Sequence, residues 1–362
     1  MADRWDDLPE KLGGLCRIAA EAGLDTLVLR EPATLAWLFE ARVHVPLTLD
    51  AACLEAVVHV ADPPGLTVVT NAIEAPRLQD TELAGLPAEW LVLPWWQPRD
   101  AALPTGPQVG GDRPGLGTVD VRAGVAAVRR VLTPRQRDLL AAVGRDAACA
   151  ATRTALRVTP ATSEYAAAGL FAAELMSAGM DPVVLMVAGG TRGGRHRHPL
   201  PTADPVGSRA MLVCCARRDG LIASVTRIVS FDPLSRAQED TYRRLLLVER
   251  AFLDATQPGT QLAAAFSAGA AAYRAQGFDP QEWHRHHQGG LSGLQPREFP
   301  AHHDSEVVLR EGMVAAWNPS AAGWKVEDTA VIRAGGPDLL VHDPEWPCVE
   351  VGGRARPGVL LR

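Results

Sequence analysis

No apolar run in this chain reaches the length needed to cross a membrane, and residues 1–10 are too polar for a signal peptide. A basic excess is missing as well. The 36 Lys and Arg stand against 42 Asp and Glu, a net charge of -6, which provides no footprint for nucleic acid or an anionic membrane surface. Lysine is scarce, occurring at Lys11 and Lys325. The six cysteines (Cys16, Cys53, Cys149, Cys214, Cys215 and Cys348) are scattered and never take C-x-x-C spacing. A reducing, cytoplasmic setting with thiols used as small apolar side chains is therefore expected. No internal repeat or low-complexity tract is visible. What the chain does have is bulk: 362 residues, 47% of them hydrophobic, suffice for two domains whose cores need no disulfide or structural metal.

The first third alternates helical and strand patterns. Residues 8–22 carry apolar side chains at helical spacing until Gly23 stops them. The short apolar run 24–29 reads as a buried strand and 34–41 as a helix. Residues 54–60 and 66–70 read as strands joined by Asp62-Pro63-Pro64-Gly65, followed by a helix at 71–78 and a strand at 90–93. This alternation predicts an open α/β sheet. Pro and Gly then crowd 94–117, which reads as a linker with a boundary near residue 120. The expectation is an α/β domain over 1–120 and an α+β domain over 121–362. The second part opens on a helix from Thr133-Pro134 to about 156, Pro standing where a missing N–H costs little. A helix at 164–177, strands at 183–188, 211–216 and 222–231, and helices near 235–255 and 262–276 follow. Strands at 313–317, 329–333 and 339–341 end the pattern.

Eight of the ten histidines lie after residue 195. His284-Arg285-His286-His287 suggests a metal site, but positions i, i+2 and i+3 share a face only in special turns, so a loop of solvated or hydrogen-bonded imidazoles is the competing reading. Arg195-His196-Arg197-His198-Pro199 places cations and an acid–base candidate in a turn-rich loop after Gly189-Gly190 and Gly193-Gly194. Ala316-Trp317-Asn318-Pro319, followed by Lys325-Val326-Glu327-Asp328-Thr329, places an ion-pair candidate beside an aromatic; a surface or interface salt bridge is the alternative. Neither segment fits a P-loop or a dinucleotide fingerprint, so no nucleotide cofactor is implied.

The order of these segments resembles the pita-bread family of creatinase, aminopeptidase P and prolidase (peptidase family M24). The match comprises Leu132-Thr133-Pro134, the Thr159-Pro160-Ala161-Thr162-Ser163-Glu164 turn, the histidine loop and the Gly220-to-Arg227 hairpin. It continues through Gly-rich 288–293, Arg297-Glu298-Phe299-Pro300, Gly312-Met313, Asn318-Pro319 and Glu327-Asp328-Thr329. The resemblance implies a pita-bread catalytic domain over 121–362 and a creatinase-type N-terminal α/β domain over 1–120. It also implies a homodimer, with the apolar stretch 91–96 as a surface to be covered.

The family's peptidases hold two metals through two Asp, one His and two Glu. By that resemblance Val213, Ser224, Gly290 and Asn318 replace four of the five ligands, and Glu327 alone survives. Ligand count therefore argues against a dinuclear site, and no metal or other cofactor is expected. Creatinase supplies the family precedent for metal-free chemistry, and the resemblance places His198 as acid–base and Glu327 as the catalytic-site carboxylate that grips a cationic or hydrogen-bond-donating part of the substrate. Arg297 is the expected anchor for a substrate carboxylate, with Lys325, Asn318, Trp317 and Ser224 as further binding residues. Cys214 or Cys215, but not both, faces such a pocket if their segment is a strand. The expected activity is hydrolysis of a C–N bond in a small carboxylate-bearing molecule. A lyase, dehydratase or isomerase could use the same histidine. An inactive binding protein, and a metallopeptidase with ligands such as His286 or His287, are the rival readings.

Overall fold

The computed structural model describes residues 4–43, 52–113 and 115–362. The chain divides into two compact units, Met1–Arg135 with Asp219–Leu221, and Gln136–Arg218 with Ile222–Arg362.

The first unit is an α/β layer, as expected. Its elements are α1 (Leu8–Glu21), β1 (Thr26–Leu29), α2 (Pro32–Phe39), β2 (Leu54–His59) and β3 (Gly65–Asn71). They continue with α3 (Ala75–Arg77), β4 (Glu89–Leu93), β5 (Val109–Gly111), β6 (Val119–Asp120) and α4 (Arg122–Arg129). The six strands form one sheet in the order β4-β3-β2-β1-β5-β6. Val28, Val57, Val69, Leu103 and Val109 close a core on it. The Pro- and Gly-rich stretch expected to be a linker is a correction, because it supplies β5, an interior strand lying parallel to both β1 and β6. Its glycines are there for closeness: a Cβ on Gly110 would lie 2.7 Å from side-chain carbons of both Leu24 and Leu27. The boundary expected near 120 also moves. Helix α4 stays with the first unit, where the Arg129 guanidinium donates to Thr34 Oγ1 at 2.9 Å and Val125 is fully buried.

The second unit is α+β. It begins with α5 (Pro134–Arg157) and α6 (Glu164–Ser177), the latter capped by Ser163, whose hydroxyl accepts from the Ala166 N–H. Strand β7 (Asp181–Gly189), the short helix α7 (Gly190–Arg195), β8 (Arg209–Arg218) and β9 (Leu221–Ser230) come next. Helix α8 (Arg236–Ala255) starts with a capping box between Ser235 and Gln238, and α9 (Leu262–Ala275) is the last long helix. The remainder is strand: β10 (Gly289–Ser292), β11 (Phe299–Pro300), β12 (Val314–Trp317), β13 (Ser320–Ala321), β14 (Trp324–Lys325) and β15 (Glu327–Arg333). The chain ends with β16 (Gly336–Leu339), β17 (Cys348–Val351), β18 (Arg354–Pro357) and β19 (Leu360–Leu361). A nine-stranded sheet runs β11-β10-β12-β15-β9-β8-β7, with β16 on β15 and β19 on β9. Among the described residues no helix is long and apolar enough to cross a membrane.

Within this sheet, strand β15 meets β9 at Glu327 opposite Thr226 and Asp328 opposite Val225. Alternation along β15 sends Glu327 and Asp328 to opposite faces. Asp328 is gripped on its side by the guanidinium groups of Arg227 at 2.7 Å and Arg356 at 2.8 Å, and Arg356 also pairs with Glu249. That buried network holds the strand from behind, so that Glu327 on the other face has a fixed origin.

Candidate active site

A cavity of about 430 Å³ lies within the second unit on the Glu327 face of the sheet. Strand β7 forms one wall with Val183, Val184, Leu185 and Met186, and β8 adds Val213 and Cys215. The polar lining is His198, His287, Arg297, Asn318, Lys325 and Glu327. Five of the seven residues singled out from sequence thus converge on one space: His198, Glu327, Arg297, Lys325 and Asn318. The other two do not line it. Trp317 is core, stacked on Phe252 at 4.6 Å between ring centres with its indole N–H donating to Thr256 Oγ1 at 2.9 Å. Ser224 stands behind the wall, its hydroxyl 3.4 Å from Cys215 Sγ. Of the two adjacent cysteines, Cys215 faces the cavity. Burial raises its thiol above the ordinary value, with the Glu327 carboxylate adding to the shift.

The charges in this space are arranged around one carboxylate. Glu327 Oε2 lies 2.8 Å from Lys325 Nζ, and Oε1 accepts from Arg297 Nη2 at 2.5 Å. Glu327 is 2% exposed and Lys325 3%. Burial pushes this carboxyl upward, but the Lys325 ammonium and then the Arg297 guanidinium outweigh it and bring it down to about 2. Two cations against one anion leave the lining with one positive charge in excess at neutral pH. The Asn318 side-chain carbonyl, also buried, has no hydrogen-bond partner among the described residues.

His198 reaches the cavity from the loop after α7. Arg195 and His196 of the same loop instead line a separate, polar depression of about 800 Å³ with Arg192 and Arg209. Arg197 pairs with Glu282 and donates to Ser320 Oγ, so it braces the loop. Burial first, then the Lys325 ammonium, holds the His198 imidazole below its ordinary range. The Arg297 guanidinium lowers it further, and the Glu327 carboxylate opposes the shift.

Two further imidazoles sit against His198. His286 Nε2 lies 3.0 Å from His198 Nε2, with ring centres 4.8 Å apart, and the His287 ring is 5.6 Å from His198 and 4.4 Å from His286. His286 is 8% exposed and its Nδ1 has no partner among the described residues. Burial brings His286 down to about 2, and burial with the Arg297 charge brings His287 down to about 4. Sequence spacing misses this cluster because it is assembled across 88 residues and the local spacing matches no helix or strand face. The run His284-Arg285-His286-His287 signals two of the three members, and nothing local signals that His198 joins them.

The residues do not fit the metal pair that the family resemblance implies. Val213 is an apolar wall residue, and the Ser224 hydroxyl is turned to Cys215. Gly290 has φ +141°, and a Cβ there would lie 2.3 Å from the Phe299 carbonyl oxygen and 2.6 Å from the Ala301 nitrogen, so no side chain can project from it. Asn318 is neutral, and both oxygens of Glu327 are taken by protein cations. Two divalent ions beside Lys325 and Arg297 would lack the anionic oxygens that such a pair requires.

Comparison with known proteins agrees with the fold. The family model for metallopeptidase family M24 matches residues 140–334. The putative dipeptidase YkvY of Bacillus subtilis (strain 168) is 23% identical over 173 residues, 46% of this chain and 47% of that protein, so the match spans about half the length of that curated relative. A dipeptidase PepE structure from Mycobacterium ulcerans superposes with a TM-score of 0.75 at 18% identity, covering 99% of each chain. The prolidase from Pyrococcus horikoshii OT3 gives a TM-score of 0.75 at 15% identity over 92% of this chain and 98% of its own. Likeness at these identities carries the two-domain pita-bread architecture.

Proposed function

This chain belongs to metallopeptidase family M24, and from that premise we propose that it is a peptidase-like hydrolase working without the family's metal pair. It cleaves a C–N bond in a small substrate that bears a carboxylate. The observation that carries this reading is the Lys325–Glu327–Arg297 arrangement, with both carboxylate oxygens engaged beside His198. The positive charge left over suits a substrate carboxylate, which Arg297 can meet with paired N–H groups. The unpartnered Asn318 carbonyl suits an N–H on the same molecule. The β7 wall takes its apolar part. Glu327 acts here as the internal counter-ion that fixes the two cations, rather than as the grip for a cationic substrate group.

In the reaction a neutral imidazole is required. His198 accepts a proton from water as the water oxygen bonds to the carbonyl carbon, then returns it to the departing nitrogen as the C–N bond breaks. Lowering of His198 by burial and Lys325 keeps it in the accepting form at neutral pH. A panel of N-acyl amino acids, amides and dipeptides, offered to chelator-treated protein and followed by mass, tests the reading. His198→Ala should lower kcat by about 10²- to 10⁴-fold, whereas Arg297→Ala should mainly raise KM because it holds a group unchanged in the reaction. Activity that disappears on chelation and returns with Mn²⁺ or Co²⁺ would overturn it. Ligand binding with no turnover of any compound would favour the binding-protein reading, for which the self-neutralised Glu327 is the specific support.

A further inference from the structure

Proton transfer by His198 gives His286 and His287 no part, although they are packed directly against it. One ring nitrogen from each of the three histidines lies within 4.8 Å of the other two. The closest pair, His198 Nε2 and His286 Nε2, is a meeting of like atoms at 3.0 Å. Tetrahedral zinc with bonds of about 2.0–2.1 Å spaces its ligand nitrogens about 3.4 Å apart, so the three rings need only small rotations to converge on one ion. His286 is fixed within the protein, its backbone carbonyl accepting from the Gln288 side-chain amide. His287 and His198 border the cavity, which leaves a fourth coordination position open to it.

We propose that His198, His286 and His287 form a mononuclear site for a borderline divalent cation of the Zn²⁺, Ni²⁺ or Cu²⁺ class, and that occupation of this site switches the hydrolase off. Imidazole nitrogen selects these ions, and the absence of a carboxylate among the three ligands disfavours Mg²⁺, Ca²⁺ and Mn²⁺. The inhibitory sign rests on the reading of His198 as acid–base: a ring nitrogen bound to metal no longer carries a proton to the departing nitrogen. This site differs from the family's pair in ligands and in place along the chain. It also reverses the family's expectation, in which added metal supports activity. The net positive charge of the Lys325–Glu327–Arg297 group repels a further cation, so the affinity falls short of that of a closed structural zinc site.

The experiment is equilibrium dialysis of the chelator-stripped full chain against Zn²⁺ alone, with Co²⁺ substitution read by visible absorption. One equivalent is expected, with a tetrahedral cobalt spectrum. His286→Gln and His287→Gln should each weaken binding at least tenfold. Mg²⁺ at the same concentration should not compete. His287 borders the cavity and is more accessible than His286, so its variant tests the site even if the buried His286 variant does not fold. Binding that is absent, or unchanged in a folded His287→Gln protein, overturns the site. Neither readout depends on turnover. Zinc that binds here and lowers the rate of whichever substrate is found supports the whole proposal. Zinc that binds here and raises the rate removes the switch, and with it the metal-free mechanism, while the site itself stands.

Discussion

Glu327 is the residue on which the candidate site turns, because the charges of Lys325 and Arg297 are tolerable in a buried space only while its carboxylate is ionised. Glu327→Gln leaves two cations without their anion, and a loss of about 3–5 kcal/mol in denaturant unfolding is expected. The pH dependence has a definite sign. Its folded value of about 2 lies below the unfolded value of about 4.3. The stabilisation is therefore complete above about pH 4.3 and is lost as pH falls toward 2. The acid side of the stability profile should flatten in the Gln variant, as read by denaturation midpoints across that range. At this scale much of the site is legible in the sequence. His198 and the Lys325–Glu327 pair stand out by residue type in short motifs, whereas the roles of Arg297 and Asn318 come from the order of segments that the family resemblance supplies. Trp317 cannot be assigned that way, because whether an aromatic next to a site residue turns to cavity or core is decided by partners such as Phe252 and Thr256, far away in the chain. His286 and His287 are legible as possible metal ligands, but their meeting with His198 is not, as nothing beside them in sequence points to it.

At the scale of elements, most strands and helices with regular apolar spacing read correctly, the strand expected at 339–341 lying instead at Gly336–Leu339, while glycine-rich ones do not. Helix α6 begins and ends where its cap and Gly179 place it, and the β8–β9 hairpin follows its apolar pattern. Strand β5 is composed of Val109-Gly110-Gly111, and β10 opens on Gly289-Gly290; turn chemistry and buried backbone look alike in such runs. What separates them is the neighbouring strand, whose closeness forbids a Cβ. Restoring the family's histidine through Gly290→His therefore should not rebuild a metal ligand. A side chain at φ +141° facing the Phe299 carbonyl should destabilise the protein by about 1–3 kcal/mol from backbone strain alone, and more from the clash. Thermal unfolding checks the loss of stability, and metal analysis checks that no second ion is gained.

For the whole molecule, the expected homodimer has a candidate surface on the first unit. Leu91 and Val92 on the edge strand β4, with Trp95 and Trp96 just beyond it, are exposed, and an unpaired apolar edge is a surface that natural chains usually cover. We propose that a second copy covers it. Light scattering should report twice the chain mass, and Trp95→Ser with Trp96→Ser should shift the protein to a monomer; a wild-type monomer at micromolar concentration removes the idea. The scarcity of lysine acquires a practical meaning at this scale. Lys11 is buried against Glu40 in the first unit and Lys325 against Glu327 in the second, so each unit conceals a single lysine amine. An acylating reagent in solution meets no lysine on the native surface. Its slow reaction at Lys11 times the opening of the first unit, whereas reaction at Lys325 reports entry into the cavity of the second, and a molecule that fills that cavity slows only the latter.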